Sequence, residues 1–463
     1  MAAEFLSTLD AALLSLETSA QQLNILAVLL IEPDPDIPSA EHYRVARDRI
    51  ENRLPLVSML CRHLQTLPGL ANPVWEDEAD LAVDTHLHQA LLDPPKDLRA
   101  LGRIAGDIAS RPLRRDRPLW EMWLVDELED GRVAVICKVH HAVLDGASGI
   151  GSLAPFFDLE PHGAPVVVPP RPEPQRLTTA DRARESVRGS VRWARDFARS
   201  APRVASMLVR TAQRVGDPDL ALPLTAPRLS FNRALTPRRT VEFTSVELSR
   251  LKEIRRAYGA TLNDLLIAVC AGALRLYLTD QDELPDRPLV AAIPVSERGL
   301  EHEVGGNRFS TMFYAIPVHI EDPAERVAAT TRTAAAAKEF YEQSGHELLY
   351  SLASMLPPKT ISPAMHAVSA LHLADRFPPV ANLMISNVRG PDFPLWIAGG
   401  RVSQMLPMGP LLEGMGLNIT VVSYLDTVSF GFQVCPDLLP NVAQLAGYVD
   451  DAVAELEKAV PAS

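Results

Sequence analysis

Along residues 133–139, Val133, Val135, Cys137 and Val139 alternate with Ala134, Ile136 and Lys138, a period of two that predicts a buried strand running into His140 and His141. Comparable runs predict strands over 22–32 upstream and over 240–243, 289–294, 312–320, 382–387, 417–424 and 428–435 downstream. Apolar positions three or four apart predict helices over 98–108, 150–157 and 262–278, and a closing helix over 442–459 follows Pro440 and Asn441. Strands and helices therefore mix on both sides of the stretch 161–175, where Pro161, Pro165, Pro169, Pro170, Pro172 and Pro174 exclude helix interior and mark an extended connector. The pattern predicts an α/β protein in three parts: residues 1–160, a connecting segment 161–237, and residues 238–463. A length of 463 residues supports two cores.

Inside the connecting segment, Trp193, Phe197, Ala201, Val204, Leu208 and Ala212 recur at helical spacing among arginines, and Pro202 interrupts them, which predicts two short amphipathic helices. Between Asp181 and Val215 stand nine arginines against three acids, whereas the whole chain carries a formal charge of -13. The overall charge argues against a nucleic-acid partner. The local surplus fits peripheral contact with a membrane or lipid droplet, or a solvated outer face.

An apolar share of 47% and a charged share of 22% are those of a soluble globular protein. The apolar stretch 25–31 is far shorter than the roughly 20 residues of a spanning helix, and nothing around it marks export. Cys61, Cys137, Cys270 and Cys435 lie far apart with no C-x-x-C pair, so neither a metal site nor a disulfide framework is signalled, and a cytoplasmic location is expected.

The chemistry concentrates in His140-His141-Ala-Val-Leu-Asp145-Gly146. Side chains alternate across a strand, so the two histidines should face opposite ways and only one should meet substrate. A neutral imidazole near pH 7 is suited to taking a proton from an alcohol. Asp145 can support the turn by an ion pair or hydrogen bonds, and Gly146 leaves room for a ligand. Chance occurrence of H-H-x-x-x-D-G in a chain of this composition is on the order of one in a thousand. Gly149-Ile-Gly151 lies too far past the strand for a dinucleotide turn, no G-x-S-x-G elbow occurs, and His346-Glu347 lacks the second histidine of H-E-x-x-H.

The run KVHHAVLDG, with PLWEMWLVDEL at 118–128, STLDAALLSLET at 7–18, TLNDLLIAVCAGAL at 261–274, PVSERG, GGNRFS, SNVRGP and GLNITVVSY, resembles the wax ester synthase/diacylglycerol acyltransferase family. Arg389 stands where that family usually has proline. The resemblance implies two similar α/β domains, each a mixed sheet flanked by helices, related to chloramphenicol acetyltransferase and condensation domains, with a tunnel between them. It implies His141 as general base, with His140, Asp145 and Gly146 supporting the motif. Asn263, Ser386 and Asn387 become candidate substrate contacts, while Arg298 (as a partner for Asp145), Asp264, Pro118 and Trp120 become structural candidates. The implied reaction moves a long-chain acyl group from acyl-CoA to diacylglycerol or a long-chain alcohol, with no metal or other cofactor. Enzymes of condensation type, which take acyl groups from a carrier protein or acylate a polyketide or other secondary metabolite, share the motif; a non-catalytic lipid-binding protein is the third reading. Acceptor, acyl length and oligomeric state are left open by the sequence.

Overall fold

A computed structural model describes the chain except for residues 1–3, 68, 70, 79–80, 145–148, 162, 164–165, 169–177, 215, 218, 297–308, 345–354 and 461–463. Its strands in chain order are β1 (Glu4–Phe5), β2 (Asn24–Glu32), β3 (Arg62–Gln65), β4 (Val74–Asp77), β5 (Leu87–Ala90), β6 (Trp120–Val125) and β7 (Val133–His140). After the connecting segment come β8 (Thr240–Glu247), β9 (Leu289–Ser296), β10 (Phe309–Ile316), β11 (Leu383–Arg389), β12 (Trp396–Ile397), β13 (Gly400–Met408), β14 (Leu417–Tyr424) and β15 (Thr427–Val434). The helices used below are α1 (Thr8–Leu16), α2 (His42–Arg53), α3 (Leu98–Ala109), α4 (Gly149–Ser152) and α5 (Thr179–Gln213).

Two six-stranded mixed sheets carry the molecule, in the orders β12-β13-β2-β7-β6-β5 and β10-β9-β11-β14-β15-β8, with a small sheet β1-β4-β3 beside them. In the first sheet only β5 and β6 run parallel; in the second, β11 is parallel to both β9 and β14. The expected third part of the chain does not stay with its own sheet. Residues 396–408 cross over and complete the first sheet, with β13 antiparallel to β2. The physical reason is an open edge: without β13, the apolar strand β2 would leave a row of unpaired backbone groups.

The sheets meet where β13 passes β15. A Cβ on Gly431 would stand 1.7 Å from the Pro407 carbonyl oxygen, so the approach needs a residue without a side chain. Gln404 Nε2 spans the same seam, donating to Ser245 Oγ at 2.5 Å and to Ser429 Oγ at 3.2 Å. The helix Leu262–Asp280 is long and apolar enough to cross a membrane by composition, yet most of it is buried in the core of the second sheet.

Three local expectations are corrected. The helix expected over 150–157 is the single turn α4 followed by a 3-10 turn at Ala154–Phe156, because Pro155 cannot continue an α-helical ladder. The strand expected over 312–320 ends at Ile316, before Pro317. The two short helices expected around Pro202 are one 35-residue helix, α5, opened by a capping box between Thr178 and Asp181. Burial outweighs the roughly 3 kcal/mol cost of an interior proline: Ser186, Gly189 and Ser200 are buried, and Gly189 lies so close to Ala71 that a Cβ would come within 2.5 Å of the Ala71 Cβ.

Replacing Gly431 by alanine should force the sheets apart at Pro407, at a cost of about 1–3 kcal/mol or more. Thermal unfolding of G431A should show a clear drop in Tm; an unchanged Tm would mean the seam is not a tight contact.

Candidate active site around the paired histidines

Strand β7 is fixed in register on both sides, with Asn24 opposite His140 on β2 and Trp120 opposite Val139 on β6. Beyond the strand the backbone stays anchored: His140 N–H donates to Leu119 O at 3.0 Å, His141 N–H to Leu23 O at 2.9 Å, and Val143 N–H returns to His140 O at 2.9 Å. One face of β7 carries Ala134, Ile136, Lys138 and His140, and the other carries Val135, Cys137 and Val139. The strand ends at His140, and His141 opens the turn that follows.

The first face is polar at its end. Lys138 is fully buried, and its ammonium donates to the carbonyl oxygens of Ile108, at 2.8 Å, and Arg111 at the C-terminal end of α3. Burial pulls its pKa down to about 8. His140 is also buried. Its Nδ1 accepts the Ala142 N–H at 3.0 Å, which leaves the ring proton of the neutral form on Nε2, 3.2 Å from Glu17 Oε1.

Glu17 follows α1 and was not singled out in the sequence, although it stands in the STLDAALLSLET run. Burial pushes its carboxyl up, but His140 on one side, Arg115 at 2.9 Å on the other and the Leu23 N–H at 2.9 Å bring it down to about 2. Arg115 is held in turn by Leu14 O at 2.7 Å. The chain Arg115–Glu17–His140 therefore fixes one histidine as a supporting group.

The second face is dry. An apolar cavity of about 70 Å³ lies against Cys137 and Val135, walled by Ala27, Leu29, Met122, Phe156, Phe157, Met405 and Val422 among others. Burial pushes the Cys137 thiol up to about 12, so it remains protonated and is no nucleophile. The Phe156–Phe157 wall is clamped: Arg53 donates to Pro155 O and Phe157 O at 3.1 and 3.0 Å, Arg49 and Arg53 both bind Asp158, and Asp158 exchanges backbone hydrogen bonds with Trp396 at 2.8 and 3.0 Å. Arg49, Arg53 and Asp158 gave no motif signal, since their pairing spans more than a hundred residues.

Asp145, Gly146 and Arg298 lie outside the described residues. Asn263 and Asn387 are brought together, Asn387 Nδ2 donating to Asn263 Oδ1 at 3.2 Å. Ser386 is not part of that pair, because neighbours on β11 point to opposite faces. Asp264 N–H donates to the Thr261 hydroxyl at 3.1 Å, closing the first turn of the helix Leu262–Asp280. Pro118 and Trp120 are buried; the Trp120 indole donates to Leu60 O at 2.7 Å and stacks on His86 at 4.5 Å. Among the described residues no group of three or more His, Cys, Asp or Glu side chains is placed to hold a metal ion.

The wax ester synthase/diacylglycerol acyltransferase catalytic domain matches residues 6–266, and the C-terminal domain of the same family matches residues 305–457. The chain belongs to this family. A relative from Mycobacterium tuberculosis, named provisionally as a diacylglycerol O-acyltransferase, is 35% identical, over 98% of this chain and 90% of its own. Another from the same species, with a similar provisional name, is 30% identical over 97% of this chain and 98% of its own. Among solved structures, the wax ester synthase/diacylglycerol acyltransferase from Marinobacter aquaeolei VT8 matches with a TM-score of 0.71 and 26% identity, over 98% of this chain and 99% of that one. The first condensation domain of the CDA synthetase matches with a TM-score of 0.56 and 17% identity over 99% and 97%, a likeness of fold. Both support the two-sheet architecture expected from the family motifs.

Glu17 supplies a pH test with a definite sign. Its folded pKa lies below the ordinary carboxyl value of 4.5, so its stabilisation is complete above about pH 4.5 and is lost as pH falls towards 2. That displacement corresponds to something on the order of 3 kcal/mol. Glu17→Gln should therefore lose stability of this order at neutral pH, and denaturant curves of variant and wild type should converge in acid. Parallel curves down to pH 3 would rule out the depressed carboxylate.

Proposed function

We propose that this chain is an acyl-CoA-dependent O-acyltransferase that moves a long acyl group to diacylglycerol or a long-chain alcohol, with His141 as general base. The observation that carries the proposal lies at the end of β7 in a member of this family: His140 is held in a buried polar network with Glu17, which leaves His141, the next residue in the motif, to serve as base. His141 takes the proton of the acceptor hydroxyl, the oxygen attacks the thioester carbonyl, the carbon–sulfur bond breaks, and the imidazolium returns its proton to the departing CoA thiolate. The scheme needs no metal or redox cofactor. Asp145 and Gly146 are assigned to support of the motif loop, and Asn263, Asn387 and Ser386 to substrate contact.

Incubation of radiolabelled acyl-CoA with diacylglycerol or hexadecanol, followed by thin-layer chromatography, tests the reaction, and a carrier-protein-bound acyl donor in a parallel arm tests the condensation-type alternative. His141→Ala should lower kcat by about 10²–10⁴-fold without lowering Tm. A folded variant keeping more than about a tenth of wild-type kcat would remove His141 from the role of base.

We further propose that the enzyme works from the cytoplasm as a peripheral protein on a membrane or droplet surface, through the outer face of α5. The structure redraws which residues could do this. Trp193, Ala201 and Val204 turn towards the body of the protein and are half-buried, whereas Val187, Val191 and Val209 are 66%, 65% and 57% exposed on the opposite side. Beside them the exposed Arg184, Arg188, Arg195, Arg199 and Arg203 form a basic strip. Arginines near an anionic surface contribute about 1 kcal/mol each, and the valines can enter the headgroup boundary. Arg192 is differently engaged, over the Phe5 ring at 4.9 Å. Flotation with anionic vesicles should recover the wild type, less of it as salt rises, and little of a variant with Arg184, Arg188, Arg195 and Arg199 replaced by glutamine. Equal flotation of the two proteins would remove this face from the mechanism.

A further inference from the structure

The segment 17–23, between α1 and β2, touches both histidines. At one end the Glu17 carboxylate stands 3.2 Å from His140 Nε2, and at the other the Leu23 carbonyl accepts the His141 N–H at 2.9 Å. The two ends are themselves joined, the Leu23 N–H donating to Glu17 Oε1 at 2.9 Å. Between them the Thr18 hydroxyl accepts the N–H groups of Ala20 and Gln21 at 3.2 and 3.0 Å, and the Thr18 N–H donates to Gln21 O at 2.9 Å. A loop closed by this many internal bonds shifts as one piece, so a displacement at its tip is carried to the backbone of His141.

The tip is held from the far end of the chain. Gln21 is 2% exposed, and its amide is used at both ends: Nε2 donates to Leu16 O at 2.7 Å, and Oε1 accepts the Glu413 N–H at 2.5 Å. Glu413 lies in the turn between β13 and β14. That turn is anchored in its own right, with the Leu235 N–H donating to Glu413 Oε1 at 3.0 Å and Asn232 Nδ2 donating to Gly414 O at 2.9 Å. Beside it Arg239 donates to Ala20 O, and Ala20 packs with Leu235, Leu411 and Cys435.

From this we infer that Gln21 is a positioning residue for the transfer reaction, which makes the placement of His141 depend on the seating of the β13–β14 turn. The inference rests on the reading of His141 as base. The chemistry of the two contacts asks for an amide at position 21. A carboxylate there would face the Leu16 carbonyl oxygen with no hydrogen to offer, and a methionine would fill the space while bonding neither end. The turn reaches Gln21 through a backbone N–H, so the contact does not depend on which side chain stands at 413. In a preorganised site a misplacement of about 1 Å costs about 10²-fold in rate.

The test compares Gln21→Glu and Gln21→Met with wild type as full chains, each shown to be folded by near-ultraviolet circular dichroism. Both should lower kcat by about 10–100-fold. KM for acyl-CoA and for the acceptor should stay within about twofold of wild type, because the substrates' own contacts are untouched. Histidine labelled at its ring nitrogens gives a second reading that needs no turnover: the imidazole resonances of His141, identified by their loss in His141→Asn, should move in both variants. A glutamine that only fills the core would lower Tm while leaving the kcat of the folded protein and the His141 resonances at their wild-type values, and that result would overturn the inference. Unmoved resonances overturn it whatever the rate. A wild-type protein that transfers no acyl group would remove the transferase reading instead, and the resonances alone would then decide whether Gln21 positions His141.

Discussion

The register of β7 between β2 and β6 is the constraint on which everything else at this site depends. The strand is buried on both faces, and the faces are chemically unlike. One carries a lysine and a histidine that need specific polar partners; the other must stay dry. A slip of one residue would drive the Lys138 ammonium into the hydrocarbon cavity and leave the carbonyl oxygens of Ile108 and Arg111 without their donor. A buried lysine that caps a helix end thus acts as a register pin, because no other alignment satisfies its charge. His140 inherits its polar partners from that alignment.

The same logic explains how the two halves cooperate. Val422 of the second sheet and Ile397, Met405 and Leu406 of the returning strands help wall the cavity whose floor is β7 and β2. Neither half encloses the space alone. Asp158, gripped by Arg49 and Arg53, holds β12 by its backbone and so ties the cavity wall to the chain segment that follows the histidine motif.

Much of this was legible in the sequence, and what was not has physical reasons. The strand into the histidines showed because alternation is a local signal, and the family motifs brought the two-sheet fold with them. A period of two also led to the expectation that the two histidines face apart, but the strand ends at His140. Glu17 was invisible as a partner because its pairing with His140 joins a helix end to a strand end 123 positions later, a relation no periodicity carries. The single helix through Pro202 was missed because proline penalises a helix locally, while the packing that outweighs it, as at Gly189 against Ala71, is tertiary. The return of residues 396–408 to the first sheet was equally hidden, since nothing in an apolar strand names the neighbour it will pair with.

That return gives the chain a timetable. As it emerges from the ribosome, β2 and β7 are made early, but the partner that closes the β2 edge is not complete until residue 408. At ordinary rates of synthesis the interval is on the order of tens of seconds, much longer than a hairpin needs to form. Through that interval an apolar edge stands open beside a half-built hydrocarbon cavity, the kind of surface on which nascent chains aggregate. The architecture in which both halves wall one apolar cavity therefore leaves the β2 edge open in the newborn chain until residue 408 arrives.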